Sequence, residues 1–287
     1  MYKSFKEIVH NLLPPLATRF LERLKSKGGY MGNYTSWAEA KRASTGYDTD
    51  IILNKVKDAL LKVKNGEAVY ERDSVLFDEI QYSWPLLAGL LWVATCNKNR
   101  LNLIDFGGSL GSSYFQNRAL LGHLEEFTWS VIEQEAFVLC GKEHFEDQFL
   151  KFYFTIEECI EVRRTDSILL SAVLPYLENP YKLLDQIIKQ KFSYIVIDRT
   201  PILEGWKDRL TVQHVPAEIY DARYPAWIFG RDKLLGLFKK DYELVMQFDA
   251  LAGSIFLGNT VAHDKGFIFR LKDEFKLNFK VIHEDNR

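Results

Sequence analysis

The chain has 287 residues, of which 47% are hydrophobic and 26% are charged. This length and apolar content predict a globular protein with a large core, built as one large domain or as one domain with a small addition. A formal net charge of −2 provides no concentrated basic surface, which argues against DNA or RNA as a partner.

The placement of cysteine and histidine argues against a disulfide-stabilised protein and against a metalloprotein. Cys96, Cys140 and Cys159 are scattered, and they form neither a disulfide framework nor a C-x-x-C pair. No two histidines show a metal-ligand spacing such as H-E-x-x-H, so we expect no metal. The pattern favours a reducing compartment, and we expect a cytoplasmic protein.

The N-terminal sequence is unlike a signal peptide, because its short apolar stretch is broken by Pro14 and Pro15. The longest apolar run, from 85 to 96, is much shorter than the roughly 20 residues that a transmembrane helix needs. We therefore expect no transmembrane segment. A basic amphipathic helix around residues 19–27 could pack on the protein or make a weak contact with a membrane surface.

The first third of the chain reads as mostly helical. Residues 49–66 place Ile52, Val56 and Leu60 on one stripe and stop at Asn65-Gly66, which predicts a helix. The preceding segment, 30–48, is rich in aromatic residues, glycine and serine. It predicts an irregular stretch with a short helix from Ser36, serving either as a lid or as a packed connection.

After residue 100 the pattern changes to short runs of β-branched and aromatic residues separated by helix-sized intervals. The five runs are 101–106, 127–133, 149–154, 167–173 and 193–198. They are almost continuously hydrophobic, which predicts βαβ units and a parallel sheet covered on both faces.

The last part of the chain predicts a helix and a hairpin. A helix is expected over 226–240, followed by two strand-like runs, 242–250 and 265–271. These runs are separated by a glycine-containing polar stretch, so we expect them to pair as a terminal hairpin.

The stretch DFGGSLGSS, residues 105–113, follows the first predicted strand. In an open α/β sheet, ligands bind beyond the carboxyl ends of the strands, where a glycine turn allows close approach to the backbone. Gly107, Gly108 and Gly111 would form that turn, with Ser112 or Ser113 capping the next helix. Such a turn indicates a ligand site, although it also occurs as a simple connection.

Two acids narrow the chemistry of this ligand. Asp105 precedes the glycines, and a carboxylate beside the turn disfavours phosphate and favours a cationic or neutral group. Glu133 ends the next strand, where a carboxylate can accept two hydrogen bonds from a ribose diol. The alternative interpretation of Glu133 is a solvated acid at the end of a strand.

Together these residues resemble the first motif of the class I S-adenosyl-L-methionine-dependent methyltransferases. The motif appears as Asp105, Gly107, Ser109 and Gly111, with Ser109 in place of the middle glycine. Glu133, in VIEQE, matches the family's ribose-binding acid, and residues 166–184 are similar to its fourth-strand segment.

The resemblance covers residues 98–272. It implies an α/β, Rossmann-like seven-stranded methyltransferase sheet, mostly parallel with an antiparallel last strand. It also implies a methyltransferase domain over 98–287, preceded by an N-terminal helical or cap region over 1–97, with S-adenosyl-L-methionine as the cofactor. The cofactor-binding residues implied are Asp105, Gly107, Gly108, Ser109, Gly111, Glu133, Gln134 and Ser171.

Nearly the whole chain also resembles a narrower family of bacterial methyltransferases associated with surface-polysaccharide (O-antigen) biosynthesis. The similarity lies in four segments, YERDSVLFDEIQYSWPLLAGLL, DFGGSLGSSYFQNR, YLENPYKLLDQI and VIDRTPI. It implies that the enzyme methylates a hydroxyl of a sugar or of a polysaccharide precursor.

Methylation of a hydroxyl needs a general base within hydrogen-bond reach. Asp198 ends the fifth predicted strand, where its side chain would face the ligand cleft. Arg199 beside it could pair with Asp198 or hold an anionic acceptor. His214, in the insertion that follows, is a second candidate base, or else an ordinary loop histidine. The aromatic residues of 223–230, Tyr224 among them, and of 30–37 could supply stacking faces for a sugar or an adenine, or could belong to the core.

Two readings from other classes remain open on the sequence. GGSLGSS loosely resembles the dinucleotide loop of an NAD(P)-dependent oxidoreductase, although Asp105 and the poor glycine register argue against it. The replacement of the middle glycine by Ser109 also leaves room for a non-catalytic scaffold or regulatory protein with this fold.

Overall fold

The computed structural model describes residues 29–45, 49–72, 74–215, 222–258 and 260–272. The amphipathic helix predicted around residues 19–27 lies outside the described residues.

Between residues 29 and 96, the described part of the chain forms three helices and three short strands. They are β1 (Gly29–Tyr34), α1 (Trp37–Arg42), α2 (Thr49–Lys64), β2 (Tyr70–Arg72), β3 (Val75–Phe77) and α3 (Trp84–Cys96). The predicted helix α2 is confirmed, and so is the short helix from Ser36, whose Oγ accepts a hydrogen bond from the Glu39 amide at 3.2 Å. Residues 30–34 of that segment are not irregular, because Gly29–Tyr34 forms a strand that pairs with a later part of the chain. Residues 46–48 lie outside the described residues.

The five predicted parallel strands are all present. They are β4 (Arg100–Phe106), β5 (Glu126–Ile132), β6 (Leu150–Tyr153), β7 (Ser167–Ser171) and β8 (Tyr194–Leu203). The connecting helices are α4 (Ser112–Leu121), α5 (Glu135–His144), α6 (Ile156–Val162), a 3₁₀ turn (Leu174–Tyr176) and α7 (Pro180–Gln190). The strands lie in the order β6-β5-β4-β7-β8, so the chain reverses direction across the sheet at β4, which is the usual place for a ligand in such folds.

Two C-terminal strands extend the five parallel strands of the sheet. The C-terminal elements are β9 (Arg209–His214), β10 (Arg223–Gly230), α8 (Arg231–Phe238), β11 (Tyr242–Phe256) and β12 (Val261–Leu271). β12 pairs antiparallel with both β8 and β11, so the predicted terminal hairpin is confirmed. The expected Rossmann-like arrangement of seven strands, mostly parallel with an antiparallel last strand, is confirmed as well.

The helix predicted over 226–240 is wrong in its first part. Residues 223–230 form β10, whose backbone pairs antiparallel with β9, and only Arg231–Phe238 is helical. Pairing with β9 along Arg223–Ile228 explains the strand. The strand is buried at most positions, so the sequence shows one apolar run that continues directly into the helix.

Strands β1, β9 and β10 form an antiparallel extension of the sheet. β10 joins β8 only at Ile202 and Leu203, beyond Asp198, where β7 stops pairing with β8. The extension therefore rises past the carboxyl end of β7. It forms a wall at the edge of the sheet where ligands are expected. Through β1, residues 29–34 of the predicted cap region also enter this wall, while the boundary at 97/98 stays a prediction.

The sheet has a hydrophobic core on each face. On one face, α3 packs closely against β12, since a Cβ added at Gly89 would lie 2.3 Å from Cδ1 of Ile268. The inner side of α3 is fully buried at Leu90 and Val93. An apolar helix too short to cross a bilayer is thus accounted for by packing on the sheet.

We predict that Leu90→Ala lowers the free energy of unfolding by about 2 to 5 kcal/mol, because it leaves a cavity between α3 and the sheet. Leu91→Ala, on the adjacent side of the helix where the side chain is 37% exposed, should cost less than about 1 kcal/mol. Urea unfolding of both variants tests the difference. Equal losses would contradict the burial of this face of α3.

Candidate active site

The glycine turn after β4 has the backbone geometry that the sequence anticipates. Gly107 has φ of +73°, Ser109 +55° and Gly111 +92°, all in the left-handed region that favours glycine. A Cβ added at Gly107 would lie 2.4 Å from Cγ2 of Val173. Ser109 therefore accepts a backbone conformation usual for glycine, at a position where the family motif has one.

The predicted serine cap of the next helix is wrong. Gly111, in a left-handed conformation, is the N-cap residue of α4, and no side chain caps this end. Ser112 is already helical, and its Oγ donates instead to Oε2 of Glu71 at 2.6 Å. The hydroxyl is used because Glu71 approaches from β2, a contact that the local sequence does not reveal.

Asp105 lies beneath the glycine turn. Its carboxyl group is 1% exposed and accepts a hydrogen bond from Nε1 of Trp129 at 3.0 Å. A Cβ added at Gly108 would lie 2.5 Å from the Asp105 carboxyl, so glycine is needed for the turn to close over it. Burial raises the pKa of Asp105 to about 7, and the nearby Glu133 charge raises this pKa further.

Glu133 ties the glycine turn to the end of β5. Oε1 accepts a hydrogen bond from the Ser109 amide at 3.2 Å, and Oε2 accepts one from the Gln134 amide at 2.8 Å. Burial raises the pKa of this carboxyl group, while both amides lower it. A carboxylate oxygen can accept more than one hydrogen bond, so Glu133 keeps capacity for a ligand's hydroxyl groups.

One cavity of about 1030 Å³ connects most of the predicted site residues. Its volume is at the top of the range of roughly 300 to 1,000 Å³ usual for small-molecule sites. The cofactor-site candidates that line it are Asp105, Gly107, Gly108, Ser109, Glu133, Gln134 and Ser171. Gly111 is not among the lining residues, and its contribution is to start α4.

Asp198 also lines this cavity, from β8, which β7 separates from β4 in the sheet. Its Oδ2 accepts a hydrogen bond from Oγ of Ser171 at 2.9 Å, which joins the ends of β7 and β8. Oδ1 is buried and has no hydrogen-bond partner among the described residues. Burial raises the pKa of Asp198 to about 6, against the lowering effects of Arg199 and Ser171.

The other two catalytic candidates have different placements. Arg199 lines the cavity, and its φ of +52° is a backbone strain that costs about 1 to 3 kcal/mol and is common at functional sites. His214 does not line the cavity, whereas Gln213 and Val215 on either side of it do. Because side chains alternate along a strand, His214 is directed away from the cavity.

Aromatic side chains line the wall formed by the β9–β10 extension. Tyr176 and Tyr224 pack edge to face with ring centroids 5.2 Å apart, and Tyr176 donates to Oε1 of Gln213 at 2.8 Å. Trp37, another lining residue, stacks on Trp227 at 6.3 Å. Aromatic rings and a few polar groups therefore line this wall of the cavity.

The sequence interpretation missed the contribution of the β2–β3 hairpin. Tyr70, Glu71 and Arg72 line the same cavity as the glycine turn. Glu71 is 1% exposed, and its Oε1 accepts a hydrogen bond from the Ser74 amide at 2.7 Å. The only local signal was the charged pair Glu71-Arg72, which makes up two of the three residues of β2, and its distance in sequence from residue 107 concealed the contact.

No model of a known protein family matches the sequence, and no curated protein matches it. Among solved structures, the chain is similar to the N-terminal domain of EvdMO1, crystallised in the presence of SAH and D-fucose. The identity is 13%, covering 79% of this chain and 98% of that chain, with a TM-score of 0.45.

It is also similar to the glycopeptide N-methyltransferase MtfA complexed with sinefungin, at 10% identity over 64% of this chain and 93% of that chain, with a TM-score of 0.41. A third similar structure is the PH0226 protein from Pyrococcus horikoshii OT3, at 14% identity, 67% and 93% coverage and a TM-score of 0.42. Likenesses this distant do not identify an activity, which has to be inferred from the site.

Within the described residues, no group of three or more histidine, cysteine, aspartate or glutamate side chains is placed to hold a metal ion. In that same part of the chain, no helix is both long and apolar enough to cross a bilayer.

We predict that Asp105→Asn changes how stability depends on pH. The unfolded chain releases the Asp105 proton near the usual pKa of about 4, whereas the folded protein holds it to about pH 7. The folded state therefore binds more protons in this interval, and the wild type loses stability relative to Asp105→Asn as the pH rises from about 4 to about 7. Urea unfolding across this range measures the difference, and a difference independent of pH would contradict the burial of Asp105.

Proposed function

We propose that this protein is an S-adenosyl-L-methionine-dependent methyltransferase that methylates a hydroxyl group of a sugar or surface-polysaccharide precursor. The observation that carries the proposal is a single cavity lined by the glycine turn, Glu133 and Asp198, with the glycine turn and Glu133 at the end formed by β4 and β5 and Asp198 at the end formed by β8. This arrangement provides a cofactor subsite and a candidate base in one enclosure.

The residues at the first end fit the cofactor chemically. Glu133 has the acceptor capacity that a ribose diol requires. Gly107 and Gly108 expose backbone to the cavity, and the carboxyl group of Asp105 beneath them, with its pKa of about 7, favours a cation over an anion in its ionised form. When bound, the cofactor supplies an electrophilic methyl group on a positively charged sulfur.

Asp198 is the proposed general base for the acceptor hydroxyl. Its Oδ2 is held by Ser171, while Oδ1 has no partner among the described residues and can accept the hydroxyl proton. A pKa of about 6 leaves the group ionised at neutral pH and basic enough to act there. Arg199, the next residue, stabilises the ionised Asp198 carboxylate or binds an anionic group of the acceptor.

The saccharide proposal has two supports. Tyr176, Tyr224 and Trp37 provide ring faces near a few polar groups, a combination that suits carbohydrate. The resemblance of nearly the whole sequence to the surface-polysaccharide family points the same way. A cavity at the upper limit of ordinary ligand sites has room for a cofactor together with part of an acceptor.

We predict that Glu133→Ala weakens binding of S-adenosyl-L-homocysteine by at least about ten-fold, because it removes the acceptor for the ribose hydroxyls. Gly107→Arg should abolish binding, since the new side chain meets Val173 and the cavity. Glu135→Ala, an exposed acid two positions along, is the matched control and should bind normally. Isothermal titration calorimetry gives all four affinities.

Absence of binding to the wild type, or binding of NADH in its place, would contradict the cofactor assignment. Unchanged affinity in Glu133→Ala would contradict the role of this acid while leaving the cofactor in place.

For the proposed general base, we predict that Asp198→Asn lowers kcat by at least about 100-fold. The same variant should bind S-adenosyl-L-homocysteine with unchanged affinity. In the wild type, kcat should rise with pH through about 6, because only the ionised carboxylate accepts the hydroxyl proton. Release of S-adenosyl-L-homocysteine over a panel of sugar nucleotides and glycosides provides the assay.

His214→Gln is the comparison variant, and it should retain most of the activity because His214 does not line the cavity. Loss of activity in His214→Gln with full activity in Asp198→Asn would reverse the assignment. Cofactor binding without turnover on any acceptor of the panel would favour a non-catalytic scaffold.

A further inference from the structure

The β2–β3 hairpin is fastened to the helix that follows the glycine turn. Oγ of Ser112 donates to Oε2 of Glu71 at 2.6 Å, and Nε2 of Gln116 donates to the hydroxyl of Tyr70 at 2.9 Å. Both donors are on α4, and both acceptors are on β2. Arg72, the next residue of β2, is thereby brought to the cavity that the glycine turn lines.

The guanidinium of Arg72 is only partly satisfied in this position. Its central carbon lies 5.1 Å from the centroid of the Phe77 ring, which holds it by a cation–π contact. Nη1 is buried and has no hydrogen-bond partner among the described residues. A buried N–H of a charged group without an acceptor is costly, so this atom is suited to an anion that enters the cavity.

The glycine turn has different neighbours at its two ends. At Ser109 it meets Glu133, the proposed ribose acceptor. At Ser112 it meets the hairpin that carries Arg72. A ligand that spans the turn with its ribose at Glu133 would therefore present its other end toward the hairpin.

We propose that Arg72 binds the carboxylate at the amino-acid end of S-adenosyl-L-methionine. This inference rests on the proposed function and adds a residue to its cofactor site. A guanidinium can hold a carboxylate through two parallel hydrogen bonds, and Nη1 is the donor that needs an acceptor. The hairpin then contributes to cofactor affinity as well as to the wall of the cavity.

The test compares two ligands that differ only at the amino-acid end. S-adenosyl-L-homocysteine carries the carboxylate, whereas 5′-methylthioadenosine has the same nucleoside and sulfur without it. Both are titrated calorimetrically into the full chain as wild type, Arg72→Gln, Arg72→Lys and Arg118→Gln. Arg118 is the matched control, because its guanidinium also packs on a ring, that of Phe115 at 4.6 Å, and it does not line the cavity.

Arg72→Gln should weaken S-adenosyl-L-homocysteine by roughly ten- to one-hundred-fold, the range of a charged hydrogen bond, and leave 5′-methylthioadenosine unchanged. Arg72→Lys should recover part of the loss, and Arg118→Gln should bind both ligands normally. The unchanged 5′-methylthioadenosine affinity also shows that the hairpin remains folded.

Three results would overturn the proposal. Equal weakening of both ligands by Arg72→Gln means that Arg72 only supports the hairpin. Unchanged affinity for both means that its guanidinium serves another anion, such as one on the acceptor. If the wild type binds neither ligand, the proposed cofactor itself is wrong, which distinguishes that failure from the first two.

Discussion

The arrangement of the site depends on one constraint, the closure of the glycine turn between two carboxyl groups. Gly108 allows the backbone to pass directly over the buried Asp105, and the Ser109 amide then reaches Oε1 of Glu133. A side chain at Gly108 would displace the turn from Asp105 and separate it from Glu133. The ends of β4 and β5 would then no longer present a common surface to a ligand.

From this fixed end, the rest of the cavity is assembled by distant parts of the chain. The β2–β3 hairpin is attached through Glu71 to Ser112, and the β9–β10 extension rises beyond the end of β7. Between them, Asp198 and Ser171 join the ends of β7 and β8. The enclosure also explains the electrostatics, since burial raises the pKa of Asp105 to about 7 and that of Asp198 to about 6.

The sequence predicts the central sheet and the glycine turn that lines the cavity, because both depend on local patterns. Continuous apolar runs identify the parallel strands, and Gly107 and Gly108 follow the first of them. Contacts between distant segments left no such pattern. Glu71 and Arg72 reach the site through tertiary packing, and Ser112 is diverted from a capping role by the same contact. Similarly, pairing with β9 makes residues 226–230 a strand where apolar composition alone favoured a helix.

We propose that the glycine turn and Glu133 bind a sulfur nucleoside. The most direct test is a crystal structure of the full chain grown with S-adenosyl-L-homocysteine. We expect the ribose hydroxyls to lie within hydrogen-bond distance of the Glu133 carboxylate, with the sulfur above the turn at Gly107. A nucleoside bound elsewhere, or a cavity that stays empty at saturating ligand, would contradict it.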